Sequence, residues 1–252
     1  MKERTIYGIN TVIKALELHG DSLLRIYLQD GMRGKRAARL QTALSQHQVR
    51  VERLSADELA ELTGTDKHQG VAAAMADHGP LDDHQALSLI ESLIDSSGDT
   101  GRHPLILVLD SMEDPRNFGA CLRTADATGV DLVVVGRSRG IDITPVVSKV
   151  ASGAAETQPI ARVANLARFL RALQALNVWL IGTDESGATA LFDANLTGPL
   201  ALVMGAEGKG LRRLTRECCD ALVHLPMLGT VESLNVSVAA GVCLYEAMRQ
   251  RR

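Results

Sequence analysis

Five short apolar runs in the second half of the chain constrain its fold more than any other feature. They are "LILVLD" (105–110), "DLVVV" (131–135), "VWLIGT" (178–183), "PLALVM" (199–204) and "ALVHLP" (221–226), and helical segments at 117–128, 164–176 and 235–249 separate most of them. Each run is near-continuous rather than alternating, so each strand must be buried on both faces. That pattern predicts an α/β fold with a parallel sheet covered by helices on both sides. Ligands of such sheets sit beyond the carboxyl ends of the strands, which directs attention to the loops after Asp110, Met204 and Pro226.

The first 78 residues read as a smaller α/β unit of their own. "GINTVIKALELHG" is a helix, "LLRIYL" (23–28) a buried strand, and "KRAARLQTALSQHQ" (35–48) a helix with basic residues crowded at its start. "VRVERL" is a strand, and "SADELAELTG" opens with a capping box (Ser55, Glu58) and closes on Gly64 before the strand "QGVAAAMA". No catalytic cluster is visible there. Residues 79–103 are turn-rich around one short helical piece, "HQALSLIESLI", and read as a linker between domains 1–78 and 104–252.

Several function classes are excluded by composition. Phe, Trp and Tyr make up 3% of the chain, too few for a base-stacking sheet, and the net charge of −3 confines any nucleic-acid contact to local patches. Cys121, Cys218, Cys219 and Cys243 form no CxxC pair and the histidines no HExxH, so reduced thiols and no metal are expected. "MKERTIYGIN" has no apolar leader, and no run reaches about 18 apolar residues. The expectation is a cytoplasmic protein without a membrane partner.

Three loops carry chemistry. In "DSMEDPRNFGACLRTADATG", Asp114 or Asn117 starts a helix, Gly119 allows close backbone approach, and Asn117 and Arg123 project in loosely similar directions; an N-cap and a surface arginine explain the same residues. "MGAEGKGL" follows a buried strand with three glycines around Glu207 and Lys209, suggesting backbone packed against a ligand. It is neither a Walker A loop, because Gly210 follows Lys209, nor a Rossmann fingerprint. In "VESLNVSVAAGV", Ser233, Asn235 and Ser237 precede or enter a helix whose Val236, Val238, Val242, Leu244 and Met248 leave little solvent face. One cap needs one polar residue, so the others point to a ligand or a facing subunit.

In order and spacing, N-x-G-x-x-x-R (Asn117, Gly119, Arg123), M-G-x-E-G-x-G (Met204 to Gly210) and S-L-N-V-S (Ser233 to Ser237) resemble the three motifs of the SpoU/TrmH group of RNA 2′-O-ribose methyltransferases. The resemblance extends to "IYGINTV" and "HQGVAA", which look like an L30e-like substrate-binding domain. It implies a C-terminal SPOUT domain with a deep trefoil knot, a homodimer, and S-adenosylmethionine as cofactor. Gly205, Leu225 and Leu234 correspond to the family's cofactor contacts, with Thr183 and Met227 nearby. The arginine matching Arg123 acts on the 2′-hydroxyl, as a base assisted by phosphate or as a group that orients it and stabilises developing charge. Asn117, Glu207, Ser233 and Asn235 complete the implied catalytic set.

The implied substrate is a guanosine of 23S rRNA in the peptidyl-transferase-centre P loop, offered as naked RNA or as a large-subunit assembly intermediate. Arg33, Lys35, Arg36 and Arg39 form a candidate phosphate grip, and "GRSRG" (136–140) another; a solvated charged face explains both equally well. Rival readings are a tRNA ribose methyltransferase, a catalytically silent rRNA-binding assembly factor and a nucleotide-dependent oxidoreductase. The last lacks the first-strand G-x-G-x-x-G.

Overall fold

The computed structural model describes residues 3–19, 22–32, 34–47, 49–76, 79–137 and 142–252. The chain divides into two compact units, Met1–Gly79 with Ser152–Thr157, and Pro80–Ala151 with Gln158–Arg252. The smaller unit runs β1 (Glu3–Tyr7), α1 (Ile9–His19), β2 (Leu23–Gln29), α2 (Lys35–Ser45), β3 (Val51–Leu54), α3 (Ala56–Thr63) and β4 (Val71–Ala76). Its sheet has the order β1-β4-β2-β3, with β4 antiparallel to both neighbours and β3 parallel to β2. The central position of β4 explains why all six of its residues are buried. The expected capping box is present: Glu58 N donates to Ser55 Oγ at 3.2 Å, and Ser55 N donates to Glu58 Oε2 at 2.7 Å.

The larger unit begins with α4 (Asp83–Asp95), α5 (Ser97–Thr100), β5 (Leu105–Leu109), α6 (Pro115–Thr128), β6 (Leu132–Gly136) and α7 (Pro145–Ala151). After α8 (Ala154–Thr157), which is grouped with the smaller unit, it resumes as β7 (Ile160–Val163), α9 (Leu166–Ala175), β8 (Trp179–Thr183), β9 (Thr189–Ala190), β10 (Leu200–Met204), α10 (Arg213–Glu217), β11 (Ala221–His224) and α11 (Val236–Gln250). The predicted parallel sheet is found, with seven strands in the order β7-β6-β5-β10-β8-β11-β9. From β5 the chain steps outward to β6 and β7, then crosses to the other side for β8, so the order reverses beside β10.

Residues 79–103 are not a linker. Ala86 and Ile90, one turn apart on α4, are wholly buried with Ile106, Val108 and Phe169 in the core of the larger unit, and Leu81 bridges to Ala161. This i, i+4 pair lies at the centre of an apolar face that also packs Leu87, Leu89, Leu93 and Ile94 against the same core. On the opposite face of the sheet Phe118, Leu122, Ala240 and Leu244 are wholly buried, and Gly241 has Thr124 Cγ2 of α6 within 3.8 Å of where a Cβ would stand. Ala240 and Gly241 give α11 a small-residue side, and the close helix contact this allows is made with α6. The expectation that α11 has little solvent face is corrected: Val238 is 52% and Tyr245 51% exposed.

At the end of α11, Glu246 accepts from Arg249 Nε and Nη2 at 2.8 Å each and from Gln250 Nε2 at 2.8 Å. The hydrogen bonds of Arg249, then that of Gln250, hold its carboxyl at about 2. A carboxyl whose folded pKa lies below the unfolded value of about 4.3 stabilises the fold above that value, and the contribution is lost as pH falls through the folded pKa. Glu246→Gln is thus expected to lower Tm at about pH 6, with the deficit shrinking as pH falls toward about 2. Thermal melts across that window check this, and an equal deficit at both ends would count against the ion pair.

Candidate active site

The carboxyl ends of β8, β10 and β11 surround a cavity of about 750 Å³. Its wall includes Thr183 from β8, Met204 to Leu211 after β10, and Leu225, Met227, Ser233 and Leu234 between β11 and α11. All five residues expected to hold a cofactor, Thr183, Gly205, Leu225, Met227 and Leu234, are in that wall.

The glycines of 205–210 shape the wall in a way the sequence did not suggest. A Cβ on Gly205 would overlap the carbonyl carbon of Gly210 and stand 2.5 Å from Leu211 N, so the side of this glycine where a side chain would stand is filled by its own loop. The loop closes through Ala206 N to Gly210 O at 3.2 Å and Gly210 N to Ala206 O at 2.9 Å, with Gly208 and Gly210 at φ 74° and 62°. A tight closed loop of this kind turns Glu207 outward at its tip, where it is exposed.

Three motif residues meet there. Asn235 caps α11: its Oδ1 accepts from Ser237 N at 3.0 Å and Ser237 Oγ at 2.6 Å. Because only the oxygen can accept those protons, the amide nitrogen must face the other way. It donates to Asn117 Oδ1 at 3.1 Å and to Glu207 Oε2 at 3.2 Å, while Asn117 Nδ2 lies 3.4 Å from the same Glu207 oxygen. Cap and site are thus two ends of one side chain. Asp114, not Asn117, caps α6, accepting from Arg116 N at 2.7 Å and Asn117 N at 2.9 Å. That releases the Asn117 side chain for the triangle. The close approach expected at Gly119 is made with α7, where a Cβ would stand 2.8 Å from Val147 O.

Arg123 is not part of this arrangement. Six residues of helix rotate by about 600°, leaving it some 120° round from Asn117, and the expected similar projection fails for that reason. Its side chain is exposed, does not line the cavity and has no hydrogen-bond partner among the described residues. Of the basic cluster, Arg33 lies outside the described residues, as do the side chains of Lys35 and Arg36; Arg39 is exposed and donates to Asn10 Oδ1 at 3.3 Å. Residues 138–140 of "GRSRG" also lie outside them.

Two polar groups of the wall escaped the sequence reading. Asp184 accepts from Ser186 N at 2.9 Å and Ser186 Oγ at 2.5 Å, with Arg216 Nη2 at 3.6 Å. Burial pushes its carboxyl up, but the Ser186 hydrogen bonds and the Arg216 charge outweigh it and hold the group below its usual range. His224 donates from Nδ1 to Gly187 O at 2.8 Å, fixing the tautomer. The run "TDESG" directly after a buried strand was the available signal. Burial pushes the thiols of Cys121, Cys219 and Cys243 up to about 12, so they are inert. Among the described residues no three His, Cys, Asp or Glu are grouped to hold a metal, and no helix is long and apolar enough to cross a membrane.

A parallel sheet with a cavity at its switch point, walled by a glycine loop and edged by an Asn–Glu–Asn triangle, defines a class. Residues 104–245 match the SpoU rRNA Methylase family, and residues 5–80 match the RNA 2′-O ribose methyltransferase substrate binding family. The chain belongs to the SpoU rRNA methylase family. It is 46% identical to the 23S rRNA (guanosine-2′-O-)-methyltransferase RlmB of Ralstonia nicotianae, over 99% of this chain and 97% of that one. It is 45% identical to the protein of the same name from Pseudomonas putida, over 98% and 96%. Among solved structures it is similar to the SpoU methyltransferase AviRb from Streptomyces viridochromogenes in complex with AdoMet, with a TM-score of 0.72 and 26% identity over 99% of this chain and 90% of that one.

Proposed function

We propose that this chain transfers the methyl group of S-adenosylmethionine to the ribose 2′-oxygen of a guanosine in 23S rRNA. The observation that carries this reading is the convergence of Asn117, Glu207 and Asn235, one from each motif, at the edge of the cavity. The wall suits the cofactor chemically. Met204, Leu211, Val223 and Val236 offer apolar surface to a purine, and the carboxylates of Asp184, Glu185 and Glu207 offer a negative field to a sulfonium and an ammonium group. Gly205, Leu225 and Leu234 hold it through backbone groups, with Thr183 and Met227 beside it.

When bound, the cofactor supplies an electrophilic methyl group. The protein supplies alignment: Glu207, with one oxygen taken by Asn117 and Asn235, is left a second oxygen to receive a ribose hydroxyl. Ser233 closes the wall beside it. Arg123 lies outside this chain's own cavity wall and reaches the 2′-hydroxyl from the facing copy of the homodimer, where it orients the hydroxyl and stabilises the charge that develops on its oxygen as the proton leaves to solvent. The smaller unit grips RNA through Arg33, Lys35, Arg36 and Arg39. Val238, Val242 and Tyr245 form an open apolar stripe at helical spacing along α11, which suits a homodimer with the pairing face continuous with the helix that Asn235 caps. A ribosomal substrate supports a cytoplasmic location, and the larger unit is expected to carry the family's trefoil knot.

The test offers methyl-labelled S-adenosylmethionine with 23S rRNA lacking its modifications, with a large-subunit assembly intermediate and with unmodified tRNA, and maps new 2′-O-methyl groups by reverse-transcription stops. Label at one guanosine of the 23S P loop is expected. Label on tRNA alone would overturn the substrate, and no label on any of them would overturn the activity.

A further inference from the structure

Asp110 and Arg212 belong to no motif described so far, yet they form a buried, directed contact at the ligand end of the sheet. Asp110 follows β5 with its side chain 0% exposed. It receives two N–H groups from one residue: Arg212 N at 3.0 Å on Oδ2 and Arg212 Nε at 2.6 Å on Oδ1. Ser111, held in the left-handed region at φ 62°, adds its hydroxyl to Oδ1 at 3.2 Å. A buried carboxylate that takes both the backbone and the Nε edge of one arginine leaves its guanidinium a single orientation.

That orientation points outward. The Arg212 side chain is 39% exposed, and its Nη groups have no hydrogen-bond partner among the described residues. Nη2 lies beside Gly136 at the end of β6, 4.0 Å from where a Cβ would stand. The next residue, Arg137, is exposed. The Arg212 guanidinium therefore meets solvent beside the end of β6, where the exposed Arg137 follows in the chain, and Arg212 directly follows Leu211 of the cavity wall. An arginine needed only to neutralise Asp110 would not have to leave its paired donors facing water. A planar fork with two free N–H edges fits a phosphate.

We propose that Arg212, aimed by Asp110 and joined by Arg137, binds a backbone phosphate of the substrate RNA beside the nucleotide presented to the cavity. The inference rests on the RNA methyltransferase reading above. S-adenosylmethionine carries no phosphate, so the site acts on RNA and not on the cofactor.

The test measures binding of unmodified 23S rRNA over a series of salt concentrations for the full-length protein, for Arg212→Gln and for Arg137→Gln, with S-adenosylmethionine affinity measured by calorimetry on each. Loss of one phosphate contact reduces the slope of log K against log salt by about one. Each variant is expected to show that reduction with unchanged cofactor affinity, and Arg212→Lys to keep the slope. An unchanged slope would overturn the proposal, as would a parallel loss of cofactor affinity, which would make the pair a strut of the glycine loop. If Arg212→Gln does not fold, Arg137→Gln, at an exposed position, decides the matter alone. Wild-type protein that binds RNA with a steep slope but transfers no methyl group would defeat the functional reading and leave the phosphate site standing.

Discussion

Arg123→Lys is expected to slow methyl transfer about 10³-fold while leaving S-adenosylmethionine affinity and Tm unchanged. The split follows from where the residue stands. Arg123 is exposed on α6, outside the cavity wall and without a partner among the described residues, so neither the fold nor the cofactor depends on it. Lysine keeps the charge but replaces a planar fork by a point charge on a flexible stem, and the role proposed for the fork is the alignment of oxygen, carbon and sulfur. Single-turnover rates with saturating RNA, alongside calorimetry with the cofactor, separate the two effects. A lysine variant with wild-type turnover would refute the role.

Gly205→Ala is expected to abolish cofactor binding and to lower Tm by about 3–10 °C, from an overpacking cost of about 1–3 kcal/mol. The new methyl group would overlap the Gly210 carbonyl carbon and crowd Leu211 N. Both obstacles are backbone, so no side-chain rotation relieves them. The loop must open, which carries Glu207 away from Asn117 and Asn235 and removes one wall of the cavity. Gly208→Ala is the control: its Cβ would meet nothing within 4 Å, and only the left-handed φ of 74° opposes it, at about 1–2 kcal/mol. Equal damage from the two substitutions, read by thermal melts and calorimetry, would show that the close approach at Gly205 is not what matters.

The larger sheet was legible because its central strands are apolar on both sides, and the three motifs because each follows such a strand. What escaped has physical reasons. β1 and β9 are edge strands whose partly exposed residues leave no continuous apolar run, and β7, "IARV", merges in sequence with the helix that follows. In 79–103 the polar turns on either side outweighed the apolar residues, Ala86 and Ile90 foremost, that dock α4. The glycines of 205–210 announced a tight loop, but composition does not distinguish a backbone packed on a ligand from one packed on itself. Asp110 and Arg212 are 102 positions apart, and only the pairing of β5 with β10 brings them together.

Arg251 donates to the carbonyl oxygens of Leu196 at 3.0 Å, His103 at 3.0 Å and Pro104 at 3.3 Å, and also to that of Gly198. Burial lowers its pKa, yet it keeps four carbonyl acceptors. Its bond to His103 closes a span of 148 residues. Contacts of such high contact order are reached only after the entropy of a long loop has been surrendered, and so they form late. During synthesis the entrance to β5, made early, stays unlatched until the far end of α11 emerges. The entrance to β5 and the far end of α11 are therefore latched to each other only when nearly the whole of the larger unit has been made.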